Sequence, residues 1–251
     1  MGKVIAVSGK GGTGKTNVSA LLINYLVKKN AGSILAIDGD PDSNLPEVLG
    51  EKVNKSVGDV REDLLKERDT YSKATDKQLL LEYKVMGILH EGDKIDILAM
   101  GRPEGPGCYC SLNHQLRVVI DTLSKNYDFC VVDAEAGLEH MSRRTLRDVD
   151  TMLIVTDASR KGLDTASRIK KLAKDLDIKF SEVYVIANRV KDEDKDKIAK
   201  NAEEMGLEII GTAPFDQTVA DFDLEGRPLT QLPEDSPFLI AVEEIAAKIG
   251  L

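Results

Sequence analysis

The feature that most constrains the fold is the octapeptide at residues 9–16 (GKGGTGKT), which matches G-x-x-x-x-G-K-[ST]. An apolar run, 3–8, precedes it, and a helical pattern, 15–29, begins at its end. Glycines let backbone N–H groups turn inward around phosphate oxygens, and the following helix adds the positive end of its dipole. Because this loop needs a strand before it and a helix after it, the motif predicts a nucleotide site at the edge of an α/β sheet.

The rest of the chain continues the alternation of strand and helix. Its apolar runs are rich in β-branched residues and lack polar alternation, which is typical of strands buried on both faces of a parallel sheet. We therefore predict an α/β fold: a doubly wound, mostly parallel sheet of about seven to eight strands with helices on both faces, in a single domain over 1–251. The predicted strands are 3–8, 33–38, 95–100, 129–133, 152–156, 182–188 and 208–213, and the predicted helices are 15–29, part of 57–67, 112–125, 160–176, 192–205 and 236–249. The charged stretch 56–93 is predicted to form helices that cover one edge of the sheet.

Composition argues against several classes of function. The net charge of −9 disfavours nucleic-acid binding, for which a basic surface supplies most of the attraction. No apolar run of about 18 residues appears, and the last helical pattern lacks a basic face, so we expect no membrane partner. We see no signal peptide and expect a cytoplasmic protein. In that reducing compartment a pair among the three cysteines is more often metal-binding or catalytic than a disulfide.

Three side chains have roles that follow from the chemistry of phosphate binding. Lys15 is expected to reach the β- and γ-phosphates, and the Thr16 hydroxyl is expected to ligate Mg²⁺. An apolar run that ends in Asp133 is typical of the carboxylate that holds Mg²⁺ through water, although an Asp that caps a helix is the alternative. The residues of this loop predicted to bind the nucleotide are Gly9, Lys10, Gly11, Gly12, Thr13, Gly14, Lys15, Thr16 and Asn17.

Lys10 follows the first glycine directly, and the string K-G-G-x-G-K-T resembles the deviant Walker A loop of the MinD/ParA/nitrogenase-iron-protein class of ATPases. The resemblance implies that Lys10 reaches across a dimer interface to the partner's nucleotide, rather than being a solvated loop charge. It also implies that Asp40, in the D-P pair, positions the attacking water. Otherwise Asp38, Asp40 and Asp42 form a solvated turn. The predicted catalytic residues are Lys10, Lys15 and Asp40.

Other segments match the same class. Residues 133–137 (DAEAG) resemble its D-x-x-A-G switch, in which Gly137 would let a backbone N–H approach the γ-phosphate and sense its loss. Two further segments resemble those that hold the purine, with an Asn amide and a P-x-D loop on either side of the base. They imply ATP or ADP as the ligand, because no N-K-x-D guanine signature appears. Their residues are Asn188, Arg189, Pro214, Phe215 and Asp216.

The cysteines fall into two groups. Cys130 lies within an apolar strand and is expected to pack as a small hydrophobe. Cys108 and Cys110 follow a Gly-Pro-Gly loop, and a disulfide between them would close a short, strained ring. Thiolate binding of Zn²⁺ or Ni²⁺ suits them better, but two thiolates are half of a tetrahedral site. His114 is one candidate to complete it, and the simpler completion is a two-fold homodimer that duplicates the pair.

The combined motifs resemble the CooC-type nickel-insertion ATPases, the accessory family of carbon monoxide dehydrogenase. The resemblance rests on the deviant Walker A loop, on D-G-D-P-D-S at 38–43, on C-Y-C at 108–110 and on D-x-x-A-G-x-E-H at 133–140. It implies a homodimer that binds ATP and holds Ni²⁺ or Zn²⁺ through Cys108 and Cys110 of both subunits. The implied client is a nickel enzyme, either carbon monoxide dehydrogenase or the related acetyl-CoA synthase.

Two alternatives stay open at the level of sequence. One is an ATP-dependent reductase of the nitrogenase-iron-protein type, whose subunits hold a [4Fe–4S] cluster between them. That class has a cysteine in the loop after the Walker B strand, and the corresponding stretch 134–142 contains none. The other is a positioning ATPase of the MinD/ParA type, which the acidic charge and the acidic last helix disfavour.

Overall fold

A computed structural model describes residues 2–66, 77–102, 110–134, 148–175 and 179–251. Within these residues eight strands form one sheet. They are β1 (Lys3–Gly9), β2 (Ile34–Asp38), β3 (His90–Glu91), β4 (Asp96–Ala99), β5 (Phe129–Asp133), β6 (Asp148–Asp157), β7 (Lys179–Asn188) and β8 (Ile209–Ala213). Their order is β3-β4-β2-β5-β1-β6-β7-β8, and every pairing is parallel except that of β3 with β4. The predicted fold class, a mostly parallel sheet of seven to eight strands, is confirmed.

Helices connect the strands and cover both faces of the sheet. They are α1 (Lys15–Lys28), α2 (Leu45–Leu49), α3 (Val57–Lys66), α4 (Lys77–Met86), α5 (Cys110–Ser124), α6 (Arg160–Asp175), α7 (Lys195–Glu204), α8 (Gln217–Glu225) and α9 (Pro237–Lys248). Single 3₁₀ turns at Asp192–Asp194 and Leu229–Gln231 precede α7 and α9. The charged stretch forms α3 and α4, while the edge of the sheet beside them is the short strand β3.

The sequence pattern missed some elements for physical reasons. Helix α2 is too short for a periodic pattern, and α8 buries one side chain, Phe222, so it lacks an apolar stripe. Strands β6 and β7 begin earlier than predicted, at Asp148 and Lys179. In β6 the polar residues at 150 and 151 interrupt the apolar run, yet Thr151 is fully buried. Apolarity alone therefore underestimates the length of a central strand.

Alternate residues of the central strand β1 face two separate cores. Ile5 and Val7 lie in the core that contains α1 and α9, and Ala6 lies in the opposite core with α5 and α6. Helix α1 is the most deeply buried helix, and all residues from Val18 to Leu26 are at most 9% exposed. The phosphate loop is thus held between a central strand and a buried helix.

The parallel register brings two acidic residues together at the carboxyl ends of neighbouring strands, beside the end of β1. Asp38 of β2 lies opposite Asp133 of β5, and Val7 of β1 also lies opposite Asp133. The Gly39 N–H donates to the carbonyl oxygen of Asp133 at 2.8 Å, which ties the loop after β2 to β5. This edge of the sheet is where ligands of open α/β folds bind.

We expect Leu21→Ala to lower the free energy of unfolding by about 3 kcal/mol, because the side chain is fully buried in α1 and its loss leaves a cavity. Leu224→Ala is the matched control, since Leu224 is 88% exposed and its loss should cost at most about 0.5 kcal/mol. Urea unfolding of the two variants measures both values. Equal losses would contradict the placement of α1 in the core.

Candidate nucleotide site

The phosphate loop has a conformation that depends on its glycines. Gly12 and Gly14 have φ angles of 76° and 90°, in the left-handed region that disfavours side chains. Gly9 passes β6 so closely that a Cβ would collide with the carbonyl oxygen of Val155. The Thr13 hydroxyl donates to the Lys10 carbonyl oxygen at 2.7 Å and closes the loop on itself. The loop therefore has the shape that the motif predicts.

The groups expected to hold Mg²⁺ lie together at the start of α1. Thr16 Oγ1 donates to Asp133 Oδ2 at 2.7 Å, and Ser19 Oγ donates to Asp133 Oδ1 at 3.1 Å. Burial raises the pKa of Asp133 to about 6, against the opposing effect of these two hydrogen bonds and of the Lys15 charge. A hydroxyl and a carboxylate are hard oxygen ligands, so this pair fits Mg²⁺. When bound, the ion supplies positive charge beside the phosphate oxygens.

Lys15, the phosphate-binding lysine of the motif, is 8% exposed. Its ammonium group lies near enough to Asp133 to lower the pKa of that carboxyl. A cation beside a buried carboxylate at the cleft suits the predicted contact with the β- and γ-phosphates. The structure thus brings Asp133 to Lys15 and Thr16, although Asp133 is 117 residues after Thr16 in the sequence.

Asp38 shapes the loop that carries Asp40. Its Oδ1 accepts from the Asp40 N–H at 3.0 Å and its Oδ2 accepts from the Leu45 N–H at 2.9 Å. Burial, with a smaller contribution from the charge of Asp133, raises the pKa of Asp38 to about 7. The carboxylate of Asp40 accepts from the Asp42 N–H at 3.0 Å and lines the cleft beside the phosphate loop. Asp38 is therefore part of the framework, while Asp40 faces the ligand space.

Asn188 holds the phosphate loop to the end of β7. Its amide donates to the Thr13 carbonyl oxygen at 2.8 Å and its carbonyl oxygen accepts from the Arg189 N–H at 2.8 Å. Arg189 adopts φ 57°, a strained conformation for a residue with a long side chain, and its side chain lines the cleft. The contact of Asn188 and Arg189 with the purine stays a prediction.

The P-x-D segment has a structural role in this fold. Although burial acts to raise the pKa of Asp216, hydrogen bonds from Ser236, Phe238 and Thr218 lower that pKa below its usual value. The shortest of these bonds joins Ser236 Oγ to Asp216 Oδ2 at 2.6 Å. The ionised carboxylate therefore ties the start of α8 to the start of α9. Phe215 is 59% exposed beside it, and the predicted contacts of Pro214, Phe215 and Asp216 with the base are not tested by this arrangement.

A cleft of about 460 Å³ lies over the phosphate loop and the start of α1. Its floor includes Gly11, Gly12, Gly14 and Asn17, as the motif predicts. Its walls come from α2 and from the end of α8, where the Arg227 guanidinium lies 3.8 Å from the centre of the Phe222 ring. The sequence pattern does not identify the residues of the walls, because only tertiary packing brings α2 and the end of α8 to the phosphate loop. They are Asn44, Glu47, Val48, Phe222, Asp223 and Arg227.

The remaining predicted residues are Lys10, the three cysteines and Gly137. The Lys10 side chain is exposed and makes no ion pair or hydrogen bond with any residue that the structure describes. Cys110 begins α5, while Cys108 and Gly137 lie outside the described residues. Cys130 is 1% exposed, and burial raises the pKa of its thiol, which suits a packed, unreactive cysteine. Within the described ranges no three or more His, Cys, Asp or Glu side chains are placed to hold a metal ion.

Comparison with known proteins agrees with this geometry. The profile of the CobQ/CobB/MinD/ParA nucleotide-binding domain matches residues 4–229. The chain is 54% identical to an uncharacterized ATP-binding protein of Methanocaldococcus jannaschii, MJ0685, over 98% of each chain. It is 31% identical to the carbon monoxide dehydrogenase accessory protein CooC of Rhodospirillum rubrum, over 88% of this chain and 87% of that one. The structure of the cell division ATPase MinD of Pyrococcus furiosus superposes with a TM-score of 0.72 at 24% identity, over 99% and 98% of the two chains.

Among the residues that the structure describes, none of the helices is both long enough and apolar enough to cross a membrane.

The raised pKa of Asp38 predicts a pH dependence of stability. The folded state binds this proton more tightly than the unfolded state, so the stabilisation is present at low pH and is lost between about pH 4 and about pH 7. The free energy of unfolding of the protein without nucleotide or Mg²⁺ should fall across this window, by an amount on the order of 4 kcal/mol from Asp38. Chemical unfolding at several pH values measures the fall.

Asp38→Asn removes one of two titrating carboxyls and should reduce the fall to the part that comes from Asp133, whereas Asp42→Asn, at an exposed position of the same loop, should leave it unchanged. The same pH profile in wild type and in Asp38→Asn would show that the pKa of Asp38 is not raised in the folded protein, contrary to the effect expected of its burial.

Proposed function

The chain belongs to the CobQ/CobB/MinD/ParA family of nucleotide-binding domains, and from this premise we propose that it is an ATP-hydrolysing homodimer that supports nickel insertion into an enzyme. The client would be carbon monoxide dehydrogenase or the related acetyl-CoA synthase. The metal, Ni²⁺ or Zn²⁺, is cargo rather than a resident cofactor. The observation that carries the proposal is the Cys108-x-Cys110 sequence in a chain that is 31% identical to the accessory protein CooC.

ATP binding rests on the groups around the phosphate loop. Lys15 and the start of α1 bind the phosphates, and Thr16 with Asp133 holds Mg²⁺, as the 2.7 Å bond between their oxygens supports. The cleft over the loop has room for the nucleotide. Asn188 and Arg189 follow β7, and the P-x-D segment follows the neighbouring strand β8, so we expect both segments to contact the base. Adenine is favoured over guanine because no N-K-x-D segment is present.

Hydrolysis needs a positioned water and positive charge at the γ-phosphate. Asp40 lines the cleft beside the phosphate loop, and the Asp38 carboxylate fixes its backbone N–H. We therefore expect Asp40 to orient a water molecule for attack on the γ-phosphate. Lys10 projects into solvent at the rim of the loop, which suits a cation supplied to the partner's nucleotide across a dimer interface. Gly137 would sense loss of the γ-phosphate.

We expect Asp40→Asn to lower the rate of ATP hydrolysis about 100-fold while nucleotide affinity changes by less than about threefold, since the amide cannot accept a proton from the attacking water. Phosphate release under single-turnover conditions, together with binding of a fluorescent ATP analogue, separates the two effects. Asp42→Asn is the matched control and should hydrolyse ATP as wild type does. Full activity of Asp40→Asn would remove Asp40 from the mechanism.

Metal binding requires ligands from two chains. A C-x-C pair supplies two soft thiolates, and Ni²⁺ or Zn²⁺ bound by sulfur takes four. A two-fold axis beside the pair would supply the other two. Lys10 is expected to contact the nucleotide of the partner across the same two-fold axis. One dimer would therefore complete the phosphate site and the metal site together. Nucleotide binding and hydrolysis would then control when the metal is held and when it is released.

An iron–sulfur reductase is the second candidate, because four thiolates per dimer also suit a [4Fe–4S] cluster. The reductase candidate predicts an absorption band at about 400 nm in protein purified without oxygen. The nickel proposal predicts no such band.

The proposal is tested by titrating the purified protein with Ni²⁺, with and without Mg·ATP, in wild type and in the variant Cys108→Ser/Cys110→Ser. We expect one Ni²⁺ per two chains in wild type with Mg·ATP, weaker binding without it, and a loss of affinity of at least about 100-fold in the variant, with ATP binding unchanged. Cys130→Ala is the control, since that thiol is buried in the core and should not contribute to metal binding. Unchanged Ni²⁺ affinity in the double variant would rule out the assignment of these cysteines.

A further inference from the structure

Positive charge is concentrated on one helix of this acidic protein. Helix α6 has six basic residues and two acidic residues, a net charge of +4. The rest of the chain then has 34 − 6 = 28 basic and 43 − 2 = 41 acidic residues, a net charge of −13. By the same count α7 has three of each and α9 has one basic and two acidic residues. The basic character of α6 is therefore a local feature rather than a property of the surface as a whole.

The packing of α6 divides it into an apolar face and a basic face. Its buried residues pack in the core that it shares with α5, and they are Leu163, Ala166, Ile169 and Ala173. The exposed basic residues are Arg160, Lys161, Arg168 and Lys171, which we call the basic face. None of these four side chains forms an ion pair with a residue whose position the structure describes. The apolar side fixes the helix to the sheet, and the charges on the other side are left to solvent.

We propose that the basic face of α6 is a docking surface for an acidic segment of a partner protein. From Lys161 to Lys171 the face spans about 15 Å, which is the length of about three turns of helix. An acidic segment with carboxylates at each turn matches this spacing, and guanidinium groups such as that of Arg168 pair carboxylates through two hydrogen bonds. Asp164 within the face favours a partner that has a basic or neutral residue at the corresponding position.

The charge of the whole molecule favours a protein over a nucleic acid as the occupant. A nucleic-acid duplex presents a dense array of phosphates that is longer than the basic face. The phosphates that extend past α6 are repelled by the rest of the chain, whose net charge is −13. A short acidic segment interacts mainly with the basic face and meets less of that repulsion, because charges more than about 10 Å apart are screened at physiological salt.

The basic face begins close to the nucleotide site. Helix α6 starts three residues after the end of β6, and Asp157 at that end accepts from the Ser159 N–H at 2.9 Å. Val155 of the same strand end lies against Gly9 of the phosphate loop. A partner on α6 would therefore dock beside the strand that supports the phosphate loop. This inference does not depend on which metal or client the protein serves.

The test is binding of a fluorescent deca-glutamate peptide, measured by anisotropy at about 50 mM and about 300 mM NaCl. We expect saturable binding to wild type that weakens at the higher salt concentration. The charge reversal Arg168→Glu/Lys171→Glu should lower affinity by at least about tenfold. The matched control is Lys197→Glu/Lys200→Glu, which makes the same charge change with the same spacing on α7 and should lower affinity by less than about threefold.

Circular dichroism and ATP binding establish that each variant is folded, and Arg168→Gln/Lys171→Gln replaces the reversal if that variant is unstable. Three results would overturn the proposal. They are no binding of the peptide to wild type, equal weakening by the α6 and α7 variants, and a short DNA duplex that binds through α6 more tightly than the peptide does.

Discussion

The nucleotide site depends on two carboxylates, Asp38 and Asp133, which lie opposite one another at the carboxyl ends of β2 and β5 and are at most 1% exposed. Burial of both groups is tolerated because every oxygen accepts a hydrogen bond. Those of Asp38 hold the backbone of the next loop, and those of Asp133 hold the hydroxyls of Thr16 and Ser19. Two acidic groups in so little water favour a bound cation, and Lys15 and Mg²⁺ provide it beside the phosphates. Binding of Mg·ATP would reduce the repulsion between the two carboxylates, and this reduction would contribute to the affinity for Mg·ATP.

Most of the fold could be predicted from sequence, because apolar runs and the phosphate loop are strong local signals. The runs that become β1, β2 and β5 end where predicted to within a residue, and their carboxyl ends carry the residues of the site. Local signals failed where tertiary packing decides. Helix α8 buries little more than Phe222, and β6 continues through Thr151, whose hydroxyl side chain gives no sign of burial. The strand order, which sets Asp38 beside Asp133, follows from no single segment.

The same difference between local motifs and tertiary packing decides which residues of the site could be predicted from sequence. Motif residues such as Lys15 and Thr16 were found because phosphate chemistry requires them at a fixed spacing. The walls of the cleft were not, since Glu47 lies on the short helix α2 and Arg227 follows α8, and neither segment has a motif. Asp216 shows a different limit. A motif that resembles a base-binding loop is also a helix cap here, and its carboxylate is held by Ser236 and two backbone N–H groups. A sequence pattern identifies a position, while the contacts decide how many roles the residue has.

The central claim is that one chain contains half of each working centre, so that nucleotide and metal are completed by a second copy. Native mass spectrometry of the protein with Mg·ATP and Ni²⁺ tests it most directly. We expect a dimer that contains two nucleotides and one nickel ion, and a monomer when ATP is omitted. Monomers that each hold one nickel ion with full affinity, whether or not ATP is present, would contradict it.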